Sequence, residues 1–174
     1  MRIGIFDSGL GGLIILRDII KKLPQYDYVY LGDNARTPYG NRSQEVIYKF
    51  TEQAVEFLFK QDCELIIIAC NTASAKALRK IQQDWLPKNY PNRRVLGVIR
   101  PVVEEGVKVA KKKIGVIGTK GTIASEAYIK EIQKLLPKVD PPRAENPQLE
   151  VIQKATPLLV SLIEEGWQKD SPIR

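Results

Sequence analysis

One side chain in this sequence stands where it could move a proton, the Cys70 thiol. Cys70 follows the apolar run LIIIA at residues 65–69 and opens a segment that is predicted to be helical. The positive end of a helix macrodipole can lower a cysteine pKa from about 8.5 to between about 3.5 and 7.5. We therefore expect a lowered pKa and a base or nucleophile at Cys70, with a buried structural cysteine as the alternative.

Several other chemistries are excluded by residues that the sequence lacks or misplaces. The chain has no histidine, which removes histidine-based triads and zinc sites, and we predict neither a metal nor a cofactor. Lys76 stands where a C-x5-R phosphatase loop needs arginine, and lysine lacks the planar guanidinium fork. The second cysteine, Cys63, precedes the same apolar run as Cys70 and is predicted to be structural.

Polar clusters follow four of the apolar runs. They are Asp7-Ser8-Gly9, Gly32-Asp33-Asn34, Cys70-Asn71-Thr72 and the segment from Gly118 to Thr122. In an open α/β sheet, ligands bind at the carboxyl ends of the strands, where helix N-termini present free N–H groups. The clusters predict a site for a small anion. A dinucleotide is disfavoured because Ile14 takes the last glycine position of the G-x-G-x-x-G fingerprint.

These clusters require strands and helices that alternate along the chain. Short apolar runs alternate with segments of helical period, which is typical of βα units and parallel sheets. The predicted strands are residues 2–6, 27–31, 64–69, 95–99, 113–117 and 148–152. The predicted helices are residues 10–22, 43–61 with Ser43 as N-cap, 74–85, 102–112, 123–136 and 158–165. The predicted fold is α/β, with a ligand crevice at the carboxyl ends of the strands.

Breaker-rich stretches suggest how the chain divides into lobes. Residues 86–92 and 137–147 are rich in proline, and the IRP sequence at 99–101 reads as a crossing into a second lobe. We predict one αβ lobe at residues 1–97 and a second at 98–174. Residues 166–174 show no strand or helix that would finish a domain, so we expect the second lobe to be incomplete.

Composition limits the classes of partner. Of the 174 residues, 44% are hydrophobic and 27% are charged, as in a folded globular chain. The net charge of +7 divides into +4 for residues 1–97 and +3 for the rest, and this even spread argues against a nucleic-acid partner. No apolar run has the roughly 20 residues of a membrane span, and no signal segment is visible, so we expect a cytoplasmic protein. The sequence leaves open whether the chain forms a homo-oligomer.

Four motifs together resemble the glutamate racemases of the aspartate/glutamate racemase superfamily. They are IGIFDSGLGG at 3–12, YLGDNARTPYG at 30–40, ACNTASA at 69–75 and GVIGTKGT at 115–122. The resemblance implies a cofactor-independent racemase that interconverts L- and D-glutamate and supplies D-glutamate for peptidoglycan. It also implies site residues. Cys70 and Asp7 would be catalytic, and Asp7, Ser8, Tyr39, Gly40, Asn71, Thr72, Thr119 and Thr122 would contact the substrate.

One feature of that family is missing from this sequence. Racemisation needs an acid and a base on opposite faces of the α-carbon, and the family takes its second cysteine from a Cys-Thr-His-Tyr-Pro motif that does not occur here. Cys63 is no substitute, because seven residues of strand span roughly 23 Å and place it at the far end from Cys70. We therefore expect a chain truncated inside its second lobe. The alternatives are a one-cysteine, decarboxylase-like relative and a noncatalytic amino-acid-binding remnant.

Overall fold

A parallel four-stranded sheet forms the first half of the chain. The computed structural model describes residues 1–136 and 149–164. The sheet has the order β2-β1-β3-β4 and consists of β1 (Arg2–Asp7), β2 (Asp27–Gly32), β3 (Leu65–Ile68) and β4 (Arg94–Gly97). Its register pairs Asp7 with Gly32 and Phe6 with Ile68, so the carboxyl ends of these strands meet at one edge. The α/β class with parallel strands is confirmed.

Two helices, α1 (Gly12–Lys22) and α2 (Gln44–Lys60), connect β1 to β2 and β2 to β3. α2 begins after Ser43, whose hydroxyl accepts a hydrogen bond from the Val46 amide at 3.3 Å, as predicted for an N-cap. α1 begins at Gly12, two residues later than predicted, because residues 8–11 form a turn over the end of β1.

A single helical stretch links β3 to β4 and differs from the prediction at both ends. It comprises α3 (Asn71–Lys76), α4 (Leu78–Lys80), a π-helix (Ile81–Trp85) and α5 (Leu86–Asn89). The predicted start at residue 74 is wrong, since the helix begins directly after Cys70. The predicted break at residue 86 is also wrong. Pro87 directly follows the π-helix, and the helical stretch continues through it to Asn89.

The second half contains a smaller parallel sheet, β5 (Lys113–Gly118) with β6 (Glu150–Ala155). α6 (Ile99–Val109) precedes it, so the strand predicted at 95–99 ends earlier and the next helix starts earlier than expected. The helix predicted at 123–136 is two helices, α7 (Lys120–Ala124) and α8 (Ala127–Leu135), because Glu126 adopts a left-handed φ of 55° between them. β6 starts and ends later than the strand predicted at 148–152. The helix α9 (Leu159–Glu164) follows it.

Each half has its own apolar core. In the first, β1 and β3 pack through Phe6, Ile66 and Ile68 against α2, and through Ile3 and Ile5 against α1. In the second, Ile99, Val103, Val107 and Ile132 join α6 to α8. The lobe boundary near residue 98 stays a prediction. The proline-rich segment 137–147 and residues 166–174 lie outside the described residues.

None of the helices in residues 1–136 and 149–164 combines the length and the apolar character needed to cross a membrane.

Candidate functional site

The carboxyl ends of β1 and β3 bring the Cys70 thiol next to Ser8. Cys70 Sγ lies 3.2 Å from Ser8 Oγ, and it accepts a hydrogen bond from the Ala73 amide at 3.4 Å. Cys70 is therefore the N-cap of α3, as expected for a sulfur at a helix start. The thiol is buried, at the carboxyl end of β3.

The predicted pKa of Cys70 is wrong in direction. Burial raises the pKa of the Cys70 thiol, and the nearby negative charge of Asp7 raises it further. Hydrogen bonds from Ser8 and from the Ala73 amide oppose this rise but do not reverse it. Loss of water around the sulfur outweighs the short helix, so the resting side chain is a thiol and not a thiolate.

Asp7 is held rigidly at the end of β1. Its Oδ2 accepts a hydrogen bond from the Gly12 amide at 2.8 Å, at the start of α1. Gly12 has no room for a side chain, because a β-carbon there would stand 2.7 Å from the Asp7 β-carbon. The turn thus places the carboxylate against the N-terminus of α1, where it accepts a hydrogen bond from a free backbone N–H group.

The Tyr39 side chain is held in place by Asp33. The Tyr39 hydroxyl donates to Asp33 Oδ2 at 2.5 Å, and Arg36 Nε donates to the same oxygen at 2.7 Å. Burial raises the pKa of Tyr39 well above its usual range, so the hydroxyl keeps its proton. Sequence reasoning placed Asp33 in a cluster at the strand ends but gave Arg36 no role.

Gly40 joins the first half of the chain to the second. Its carbonyl accepts a hydrogen bond from the Gly121 amide at 3.1 Å. A β-carbon built on Gly40 would stand 2.6 Å from Thr119 Cβ. Only a glycine allows this approach, and the Tyr39-Gly40 segment therefore reaches Thr119 in the second half of the chain.

Three threonine hydroxyls form a closed triangle at this junction. Thr72 Oγ1 lies 3.0 Å from Thr119 Oγ1 and 3.3 Å from Thr122 Oγ1, and the last two lie 3.0 Å apart. Thr72 belongs to α3, while Thr119 caps α7 and Thr122 lies within it. The sequence predicted a shared edge for these residues, and the structure brings all three into contact.

Asn71, the first residue of α3, also contacts the second half. Its Oδ1 accepts a hydrogen bond from the Tyr128 hydroxyl at 2.7 Å. Sequence reasoning missed Tyr128, since its place depends on the left-handed residue between α7 and α8, which no local pattern indicates.

Cys63 lies at the opposite end of β3, as predicted. A β-carbon on Gly4 would stand 3.2 Å from Cys63 Sγ, and Arg93 donates to the Cys63 carbonyl at 2.7 Å. Burial raises the pKa of this thiol too. It packs within the core of the first half and takes no part in the crevice.

The predicted site residues thus lie close together at the carboxyl ends of the strands, where they supply a thiol, a fixed carboxylate, hydroxyls, an amide and helix N-terminal N–H groups. Such a set can hold an ammonium group at one end and carboxylates at the other. Among residues 1–136 and 149–164, no cluster of cysteine, aspartate and glutamate has the composition to hold a metal ion.

Comparison with curated proteins points to one family, the glutamate racemases. The chain is 46% identical over 166 residues to a glutamate racemase of Geobacter metallireducens, a match that covers 95% of this chain and 56% of that protein. It is 43% identical over 167 residues to a glutamate racemase of Aquifex aeolicus, covering 95% and 59%. The chain thus spans a little over half the length of the relatives it matches. No protein-family profile matches it.

Solved structures agree with the sequences. A glutamate racemase of Bacillus anthracis superposes with a TM-score of 0.83 at 38% identity, covering 97% of this chain and 57% of that one. The glutamate racemase of Francisella tularensis, solved in complex with D-glutamate, superposes with a TM-score of 0.78 at 40% identity, covering 95% and 57%. The resemblance stated from the motifs is confirmed, and so is the fold class.

Proposed function

This chain is a homologue of the glutamate racemases along nearly all of its own length, and we propose that it acts on glutamate as the Cys70 half of a cofactor-independent racemase. The observation that carries the proposal is the contact between Cys70 and Ser8, which puts a thiol beside the fixed Asp7 carboxylate. The product D-glutamate would serve peptidoglycan synthesis. The cytoplasmic location stays a prediction.

The crevice offers different partners to the two ends of glutamate. Asp7 is the carboxylate placed to meet the substrate ammonium group. The threonine triangle of Thr72, Thr119 and Thr122 and the Asn71 amide would hold carboxylates. These groups donate hydrogen bonds without supplying a second acid next to the reacting carbon.

Cys70 is the proposed base. When substrate binds, the Cys70 thiol releases its proton to solvent. The resulting thiolate takes the α-proton of glutamate, so that the Cα–H bond breaks, an S–H bond forms, and the electron pair moves into the α-carboxylate as an enolate. Return of a proton to the same face restores the starting enantiomer. Delivery of a proton to the opposite face gives the other enantiomer.

Binding of substrate would make the thiol more acidic. Burial and the charge of Asp7 both raise the pKa of Cys70. An ammonium group beside Asp7 compensates that charge, and its own positive charge favours the thiolate. Glutamate would thus supply the positive charge that activates its own base.

Of the two cysteines in the sequence, only Cys70 lies at this site, since Cys63 lies at the far end of β3. We expect these 174 residues to bind glutamate and exchange its α-proton without efficient inversion. The same observation favours a second candidate, amino-acid binding without any turnover.

Alkylation of Cys70 tests the proposal. We expect L- or D-glutamate to slow the reaction of Cys70 with iodoacetamide, followed by peptide mass spectrometry, and to leave Cys63 unchanged. Thr122→Val should remove this protection, because it deletes one corner of the threonine triangle.

Thr51→Val is the matched control. Thr51 is also buried, and the change removes its one hydroxyl hydrogen bond, to the Ile47 carbonyl at 2.7 Å, but it lies in α2 away from the site. Equal labelling of Cys70 with and without glutamate in the parent chain would refute the proposed function. Protection without α-proton exchange would identify the binding-only candidate.

A further inference from the structure

We infer that Tyr128 is a positioning residue that fixes the Asn71 amide, so that its NH2 group faces the substrate carboxylate. The inference rests on the proposed function for the identity of the substrate. Its structural part, the coupling of Tyr128 to Asn71, can be measured without glutamate.

The contact connects the two halves of the chain. Tyr128, the second residue of α8, donates to Asn71 Oδ1 at 2.7 Å across 57 residues of sequence. The Tyr128 ring packs at the edge of the second core, near Ile132. Burial raises the pKa of Tyr128, so the hydroxyl keeps the proton that it donates. The donor of this hydrogen bond therefore stands on a ring that packing holds in place, and its acceptor belongs to the first turn of α3.

The direction of this hydrogen bond decides what Asn71 offers a ligand. A side-chain amide has an accepting oxygen and a donating NH2 group, which are similar in shape and opposite in polarity. With Oδ1 occupied by the Tyr128 hydroxyl, the NH2 group is the part left for a ligand. A carboxylate accepts hydrogen bonds only, and an amide turned the other way would present a second acceptor to it.

The backbone before Tyr128 is built to put it there. Glu126 has a φ of 55°, a conformation that a residue with a β-carbon adopts at some cost in energy. Ser125 fixes the same turn, since its hydroxyl donates to the Thr122 carbonyl at 2.6 Å and accepts from the Ala127 amide at 3.2 Å. Thr122 and Tyr128 are thus set by one turn, which couples the threonine triangle to the orientation of Asn71.

Tyr128→Phe tests the inference, with Tyr28→Phe as the matched control. Each variant keeps its ring and loses one hydroxyl hydrogen bond of 2.7 Å, and Tyr28 donates to the Leu23 carbonyl, away from the crevice. In the 174-residue chain we expect Tyr128→Phe to weaken glutamate binding about three- to ten-fold by calorimetry, the range expected for one hydrogen bond. Tyr28→Phe should bind as the parent does.

A double-mutant cycle separates positioning from a general structural effect. If Tyr128 acts through Asn71, Tyr128→Phe should cause no further loss of affinity in an Asn71→Ala background. An equal loss in both backgrounds would overturn the inference, as would unchanged binding of glutamate by Tyr128→Phe.

NMR of the Asn71 side-chain amide gives a readout without ligand. The resonance pair is assigned by its loss in Asn71→Ala, and we expect Tyr128→Phe to shift it and Tyr28→Phe to leave it in place. An unshifted pair in Tyr128→Phe would refute the coupling. If the parent binds no glutamate, the proposed function fails and the coupling between Tyr128 and Asn71 is decided by this measurement.

Discussion

Gly40 and Thr119 approach each other so closely that a β-carbon on Gly40 would stand 2.6 Å from Thr119 Cβ and 2.7 Å from its Cγ2. Real β-carbons do not make such contacts with branched side chains. Thr119 also caps α7 through the Thr122 amide, so it has little freedom to move away. The close fit between the Tyr39-Gly40 segment and α7 therefore depends on the absence of a β-carbon at Gly40.

Gly40→Ala should separate these two segments. We expect the free energy of unfolding to fall by about 1 to 3 kcal/mol, as in other overpacked sites, together with a loss of glutamate binding. Gly115→Ala is the control, because nothing lies within 4 Å of a β-carbon built on Gly115. Urea titration of both variants measures the effect, and equal midpoints for the two would contradict the proposed fit.

Asp7→Asn should lower the pKa of Cys70 in the ligand-free chain. Burial raises this pKa, and the Asp7 carboxylate is the next contributor, so removal of its charge favours the thiolate. The pH dependence of Cys70 alkylation should have its midpoint above that of a free thiol in the parent and at a lower pH in the variant. Asp18→Asn, an exposed change on α1, serves as the control. A midpoint in Asp7→Asn at or above the parental one would be evidence against this electrostatic coupling.

The α-proton of glutamate should exchange without inversion in this chain. With a single thiol on one face of the substrate, deuterium from D2O enters the enantiomer that was supplied, and the optical rotation stays constant. Proton NMR measures the exchange and circular dichroism the inversion. Cys70→Ser should abolish exchange and Cys63→Ser should retain it. Rapid inversion by the purified 174 residues would show that a second acid is present.

Hydrogen exchange should be faster in the smaller sheet. β1 and β3 have a partner strand on both sides, whereas β5 and β6 pair only with each other within the described residues. Ile117 and Ile152 on this sheet are 64% and 50% exposed. Since two-stranded sheets are weak and local opening precedes global unfolding, we expect amides of β5 and β6 to exchange at least about ten-fold faster than those of β1. Equal protection in a demonstrated monomer would contradict this.

The strands and their polar ends were predictable from the sequence. A buried parallel strand reads as an uninterrupted apolar run, so β1 and β3 were located within one or two residues, and Asp7 and Cys70 followed at their ends. The ionisation of Cys70 was not predictable. It depends on how completely packing removes water from the sulfur, which the spacing of residues along the chain does not contain.

Features that depend on residues far apart in the sequence could not be predicted either. Pro87 suggested a break in the helix, yet the π-helix before it lets the chain continue to Asn89. Tyr128 reads as an ordinary residue of an amphipathic helix, and it meets Asn71 only because Glu126 turns the backbone by a left-handed residue. Both features come from tertiary packing that overrides local propensity.

The threonine triangle has a consequence for which ligands it can accept. Each of the three hydroxyls has one proton to give and two lone pairs that can accept, and each lies within hydrogen-bond distance of the other two, while Thr119 Oγ1 also accepts from the Thr122 amide. A ligand must replace these neutral hydrogen bonds with better ones, and an ionised acceptor forms bonds roughly twice as strong as a neutral one does. The neutral oxygen of an amide or ester in the same place would only replace neutral hydrogen bonds with other neutral hydrogen bonds. If the triangle holds a substrate carboxylate as proposed, its three hydroxyls would discriminate by the charge of the incoming oxygen.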